Sequence, residues 1–117
     1  MRHLVEGKKL GRLKRQRVSL MRNLTTSLIL HERLVTTTAK AKALKPKIER
    51  LITIAKKGDL NAKHRLMKEL FNNQIVVRKI MKVLAPKYQE RTGGYVRIVR
   101  QGTRVGDAAP TSVIEFI

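Results

Sequence analysis

The chain has 117 residues and a formal net charge of +19, from 27 Lys and Arg against 8 Asp and Glu, so it holds one modest domain and is drawn over long range to polyanions. It contains no Cys, which excludes disulfides, thiolate zinc sites, iron–sulfur clusters and cysteine nucleophiles. Its most apolar windows, such as Leu28 to Leu30 and Ile75 to Val77, fall far short of the roughly 18 residues that cross a bilayer, so no membrane span is expected.

Residues 1–17 read as an extended basic arm and 18–117 as a single globular domain. From Met1 to Arg22 there are eight bases (Arg2, Lys8, Lys9, Arg12, Lys14, Arg15, Arg17, Arg22) and one acid, Glu6. Such a segment buries too little apolar surface to offset its ordering entropy and is expected to take shape on a partner. Each base set against a phosphate releases a condensed counterion, which makes RNA or DNA the natural partner and the binding salt-dependent. Gly7 and Gly11 argue against an amphipathic mitochondrial presequence.

Leu20, Met21, Leu24 and Leu28 place one apolar face on a helix expected from about Val18, with Ser19 as its cap. The β-branched and polar stretch Glu32 to Thr38 predicts a short strand, near 33–37, or an extended linker. In the next segment Ala41, Leu44, Ile48, Leu51, Ile52 and Ala55 fall in one arc of a helical wheel, and Lys40, Lys42, Lys45, Lys47, Arg50, Lys56 and Lys57 lie outside it. Pro46 is expected to bend this helix unless it starts later than Thr38. Gly58 stops it and Asp59 caps a third helix over about 60–71, which offers Leu66, Met67, Leu70 and Phe71 to the core. A fourth helix near 74–84 turns Val76, Ile80, Val83 and Leu84 inward and should end near Pro86. Tyr95 to Arg100 alternates as a strand, Gly102, Gly106 and Pro110 mark a loop, and Thr111 to Ile117 is the last strand.

Catalysis has little to stand on. His3, His31 and His64 fall in different predicted elements, and the few acids are scattered among bases, so no general acid and base are paired. Gly93-Gly94 and the Gly102 to Gly106 segment lack the spacing of phosphate-binding loops and read as turns. By contrast, Lys40 to Lys57 carries seven bases and only Glu49 as an acid, unlike the mixed surface of an ordinary soluble helix. With so few aromatic residues, backbone and shape recognition of folded RNA fits better than a base-stacking platform. No cofactor, metal or small-molecule substrate is expected.

Six strings stand in register along the chain: MRHL with GKKLGR (Met1 to Arg12), RNL with TSL (Arg22 to Leu28), TT with AKAKAL (Thr36 to Leu44), LITIAKKGDLNA (Leu51 to Ala62), LAPKY before RTGGYVRI (Leu84 to Ile98), and GDAAPTSVIEF (Gly106 to Phe116). In order and spacing they resemble the family of the seventeenth protein of the bacterial large ribosomal subunit. Where that family usually reads Ser-Ser-His-Arg, this chain has Leu13-Lys14-Arg15-Gln16-Arg17, gaining charge and losing a His. The resemblance implies an α+β fold of about four helices packed on a small three-stranded sheet. It also implies a structural, non-enzymatic role in the large subunit near the rim of the peptide exit tunnel, with large-subunit (23S) ribosomal RNA and neighbouring ribosomal proteins as partners and no homo-oligomer. With the family motif opening at Met1, the expected location is the ribosome of a bacterial cytoplasm.

On this reading Arg2, His3, Lys8, Lys9, Arg12, Lys14, Arg15, Arg17 and Arg22 thread along RNA. Lys40, Lys42, Lys45 and Lys47 form a second phosphate-facing patch, and Arg97, Arg100 and Arg104 a third. The rival is a small architectural DNA-binding protein of the nucleoid, for which no groove-reading element is evident.

Overall fold

The computed structural model describes residues 10–117, so the part of the predicted arm before Leu10 lies outside it. The element order is α1 (Lys14–His31), β1 (Arg33–Thr37), α2 (Thr38–Lys56), α3 (Leu60–Glu69), α4 (Gln74–Lys79), a π-helical turn (Ile80–Leu84), α5 (Ala85–Lys87), β2 (Val96–Thr103) and β3 (Pro110–Phe116). With α4, the π turn and α5 forming one continuous rod, this is four helices on a three-stranded antiparallel sheet of order β1-β3-β2.

Helix α2 is the axis of the fold. Its Ala41, Leu44, Ile48, Leu51, Ile52 and Ala55 are all buried, as their common arc requires, and they join Leu28 and Ile29 of α1, Leu66 of α3, Val76 and Ile80 of the last rod, and Ile114 of β3 in one core. Thr37 caps α2 by accepting from the Lys40 amide at 3.4 Å. One residue on, the buried Thr38 hydroxyl meets Ser112 at 2.7 Å, fastening the start of α2 to the central strand. Pro46 stands inside α2 on its exposed side. The hydrogen bond it cannot make would have gone to the carbonyl four residues back, at the exposed Lys42.

Pairing sets the two faces of the sheet. Leu34, Ile114 and Ile98 are in register and face the helices, while Val35, Val113 and Val99 form the next row on the outer face. Thus Arg33, Glu115 and Arg97 also lie side by side on that outer face. The segment between α5 and β2 is tied down from two directions. Tyr88 donates to the backbone oxygen of Ile117 at 2.7 Å, and Lys56 donates to the Arg91 carbonyl at 2.6 Å and to the Tyr95 hydroxyl at 3.1 Å.

Several local features differ from expectation, each for a physical reason. Helix α1 begins at Lys14 with no side-chain cap, so Ser19 is interior and Lys14 to Arg17 are helical. Lys, Arg and Gln are good helix formers, a propensity that the segment's charge and sparse apolar residues mask. The last helix does not stop at Leu84: the Ala85 amide reaches five residues back to Ile80, and Pro86 then fits the first turn of α5. A π turn opens the space that a proline ring would otherwise contest with the preceding turn. The same winding leaves Val83 half exposed while Val77 is buried. Phe71 has φ +55° and is 49% exposed, so it is a corner residue and not core. Gly102 lies within β2, at a bulge between Arg100 and Gly102, with φ +142° that a β-carbon would strain.

Candidate nucleic-acid interface

Helical arithmetic divides the basic residues of α2. Lys40 and Lys47 are two turns apart on one shoulder of the buried stripe, Lys45 is on the opposite shoulder, and Lys42 points to solvent between them. The four lysines expected to form one patch therefore do not share a face. On the Lys47 shoulder, Ala43, Lys47, Arg50 and Ile54 recur at helical spacing, and Arg65, Lys68 and Glu69 recur likewise on α3. These two stripes face each other across an open groove of about 610 Å³, lined also by Pro46 and Leu51. Asp59, accepting from the Ala62 amide at 2.7 Å, and buried Ala62 and Leu66 fix α3 alongside α2.

A second crevice of about 210 Å³, between α1 and α2, is lined by Leu10, Arg17, Val18 and Met21 and shares Ala43 and Lys47 with the groove. Burial holds the Lys47 ammonium below the ordinary lysine range. Glu69 opposes that shift, and Arg22 and Arg50 add to it. Arg22 lies across the exposed Phe71 ring, its guanidinium carbon 4.8 Å from the centroid, and its Nε is buried without a hydrogen-bond partner among the described residues. Arg12 and Arg17 turn inward on the backbone, Arg12 donating to the Leu10 carbonyl at 2.7 Å and Arg17 to the Arg12 carbonyl at 3.2 Å. Lys14 and Arg15 are exposed on the first turn of α1. Arg2, His3, Lys8 and Lys9 lie outside the described residues.

On the sheet, Arg97 donates to Glu115 at 2.8 Å, and Arg33 approaches the other oxygen of the same carboxylate at 3.8 Å. Arg104 grips Asp107 with both Nε and Nη2, which holds that carboxyl down at about 2. Only Arg100 of the predicted third patch is without an acidic partner among the described residues. His31 and His64 are exposed on separate helices. Arg50, Arg65 and Lys68 were not among the expected site residues. Their spacing was visible, but their meeting depends on how α3 lies against α2.

The sequence profile of the family described as Ribosomal protein L17 matches residues 20–117. Over its full length the chain is 50% identical to the large ribosomal subunit protein bL17 of Orientia tsutsugamushi (strain Boryong), of which it covers 80%. It is 49% identical to the protein of that name from Wolbachia pipientis subsp. Culex pipiens (strain wPip), covering 83%, and 47% identical to that of Trichlorobacter lovleyi, covering 94%. The match takes in every helix and strand described above, from within α1 to the end of β3, and the chain belongs to the ribosomal protein L17 family.

Proposed function

We propose that this protein is a structural component of the bacterial large ribosomal subunit, in the cytoplasm, and catalyses no reaction. Within the subunit it binds and stabilises 23S ribosomal RNA near the rim of the peptide exit tunnel, beside neighbouring ribosomal proteins and as a single copy. The observation that carries the reading is the excess of cations without internal counter-charge. The chain has a net charge of +19, and among the described residues only Arg33, Arg97 and Arg104 form ion pairs. Self-repulsion on that scale is relieved by a polyanion, which also stabilises the fold by mass action.

The arm residues Arg2, His3, Lys8, Lys9 and Arg12, continued by Lys14, Arg15, Arg17 and Arg22, lead RNA to the helical side, where Lys40, Lys42, Lys45 and Lys47 present charge on both flanks of α2. Arg97, Arg100 and Arg104 engage at the sheet end, Arg97 and Arg104 by exchanging a carboxylate for a phosphate. The interaction is with backbone and shape, since Phe71 is the one exposed Phe or Tyr among the described residues and Arg22 covers it.

A tagged copy sedimented from a bacterial lysate tests this. Co-migration with the free large subunit and with whole ribosomes through a high-salt wash is expected. Release to the top of the gradient at moderate salt would overturn the reading and favour nonspecific, nucleoid-type binding.

A further inference from the structure

Four cations line the groove between α2 and α3, Lys47 and Arg50 from one wall and Arg65 and Lys68 from the other, with Glu69 as the single acid. None of the four is within ion-pair distance of a carboxylate among the described residues. The rest of the lining is apolar: Ala43, Pro46, Leu51 and Ile54. A cleft with one sign of charge and low-dielectric walls focuses its field, so an anion inside is attracted more strongly than one at a flat basic surface. Lys47 is partly desolvated there, which is the main cause of its lowered pKa; Glu69 opposes the shift, and the like-charged Arg22 and Arg50 add to it.

From this geometry we infer that the α2–α3 groove is a phosphate-binding cleft that seats a stretch of RNA backbone, with Arg50 and Arg65 clasping phosphate oxygens from opposite walls and Lys68 and Lys47 completing the charge. Planar guanidinium forks suit non-bridging phosphate oxygens, which each can meet with two N–H donors. The groove is open to solvent, and Ala43 and Lys47 line both it and the α1–α2 crevice. It therefore suits a chain of phosphates better than one small anion, and it connects the α3 wall to Arg17 at the start of α1. This cleft rests on the ribosomal RNA reading above and extends it to Arg50, Arg65 and Lys68, which lie outside the three patches named there, with Lys47 shared with the second.

The test compares three full-length chains for binding to 23S ribosomal RNA across a salt series: the unaltered protein, the groove variant Arg50→Gln/Arg65→Gln/Lys68→Gln, and a control of equal charge loss on the last helical rod, Arg78→Gln/Lys82→Gln/Lys87→Gln. Removing three phosphate contacts lowers the slope of log affinity against log salt by about two to three units, and the control is expected to change it by under about one. Equal losses in the two variants would overturn the cleft. So would a groove variant that binds RNA normally but no longer enters large subunits, which would give the groove to a protein neighbour. Failure of the unaltered chain to bind would instead remove the RNA reading itself. Acetylation footprinting of the unaltered chain gives a check that needs no variant: RNA should shield Lys47 and Lys68 but leave Lys82 and Lys87 reactive, and the reverse pattern would overturn the assignment.

Discussion

On the outer face of the sheet, Arg33 and Arg97 flank one carboxylate, Glu115, and at the hairpin tip Arg104 holds Asp107. Across the molecule, Lys47, Arg50, Arg65 and Lys68 share a groove with Glu69 and form no ion pair among the described residues. Both regions are basic in sequence, yet the first has spent much of its charge internally and the second has not. Exposed pairs such as those on the sheet add little stability, roughly 0–1 kcal/mol each, but they do change what a phosphate meets. A phosphate must displace a carboxylate at Arg97, whereas at Arg50 it relieves repulsion. Charge counted along the chain therefore does not separate the two regions, and counter-charge read from the fold does.

The strongest way to break this contrast leaves every cation in place. Leu66 of α3 is fully buried in the core, so Leu66→Ala leaves a cavity beneath α3 and is expected to cost about 2–5 kcal/mol, read from the urea unfolding midpoint. With α3 loosened, Arg65 and Lys68 no longer stand opposite Lys47 and Arg50. Under conditions where the variant remains folded, the salt slope for RNA should fall although no charge has been removed. A large loss of stability with an unaltered slope would mean that the groove cations act independently, as a diffuse field and not as a cleft.

A smaller effect is expected from making the sheet resemble the groove. Glu115→Gln releases Arg33 and Arg97 from their shared acid at the expense of no more than about 1 kcal/mol. If the shared acid weakens the engagement of these arginines with RNA, the salt slope should rise by about one to two units. An unchanged slope would show instead that the outer face of the sheet points away from RNA, so that position, and not counter-charge, separates the two regions.

What the sequence made legible follows the same division between local and long-range information. The apolar arc of α2, the Asp59 cap and the Gly58 stop are written within one or two turns and appear where the pattern puts them, and the strand read over Tyr95 to Arg100 runs from Val96 to Thr103. Phe71 was misread because hydrophobicity alone cannot register that Phe71 and Asn72 both take φ near +55° and turn the ring outward beneath Arg22. Pro86 read as a stop because the rule assumes α geometry on both sides, and a π turn evades it. The candidate site was legible as charge and obscure as arrangement. That Arg97 meets Glu115 depends on a strand register 18 residues apart in sequence, and that Arg50 faces Arg65 depends on the packing of two helices. Neither follows from spacing along one element.

The hairpin tip offers the finest probe of the contrast, because its pair is local and fully exposed. Arg104 donates to Asp107 and the Ala109 amide donates to the same carboxylate at 3.2 Å, which together lower the Asp107 carboxyl from the ordinary 3.8 to about 2. A carboxyl depressed by folding contributes stability above its unfolded value and loses it as the pH falls through its folded value. The contribution is thus complete above about pH 4 and disappears as the pH approaches about 2. An NMR titration of the side-chain carboxyl should report the low midpoint, and Arg104→Gln should return it toward the ordinary range with little effect on global unfolding. Adding RNA at neutral pH then distinguishes two modes of engagement. If Arg104 exchanges Asp107 for a phosphate, the carboxyl and the Ala109 amide shift together; if the tip stays paired while the groove lysines are shielded, the bound state preserves the asymmetry of the free one, with RNA held on the side where charge was left without a partner.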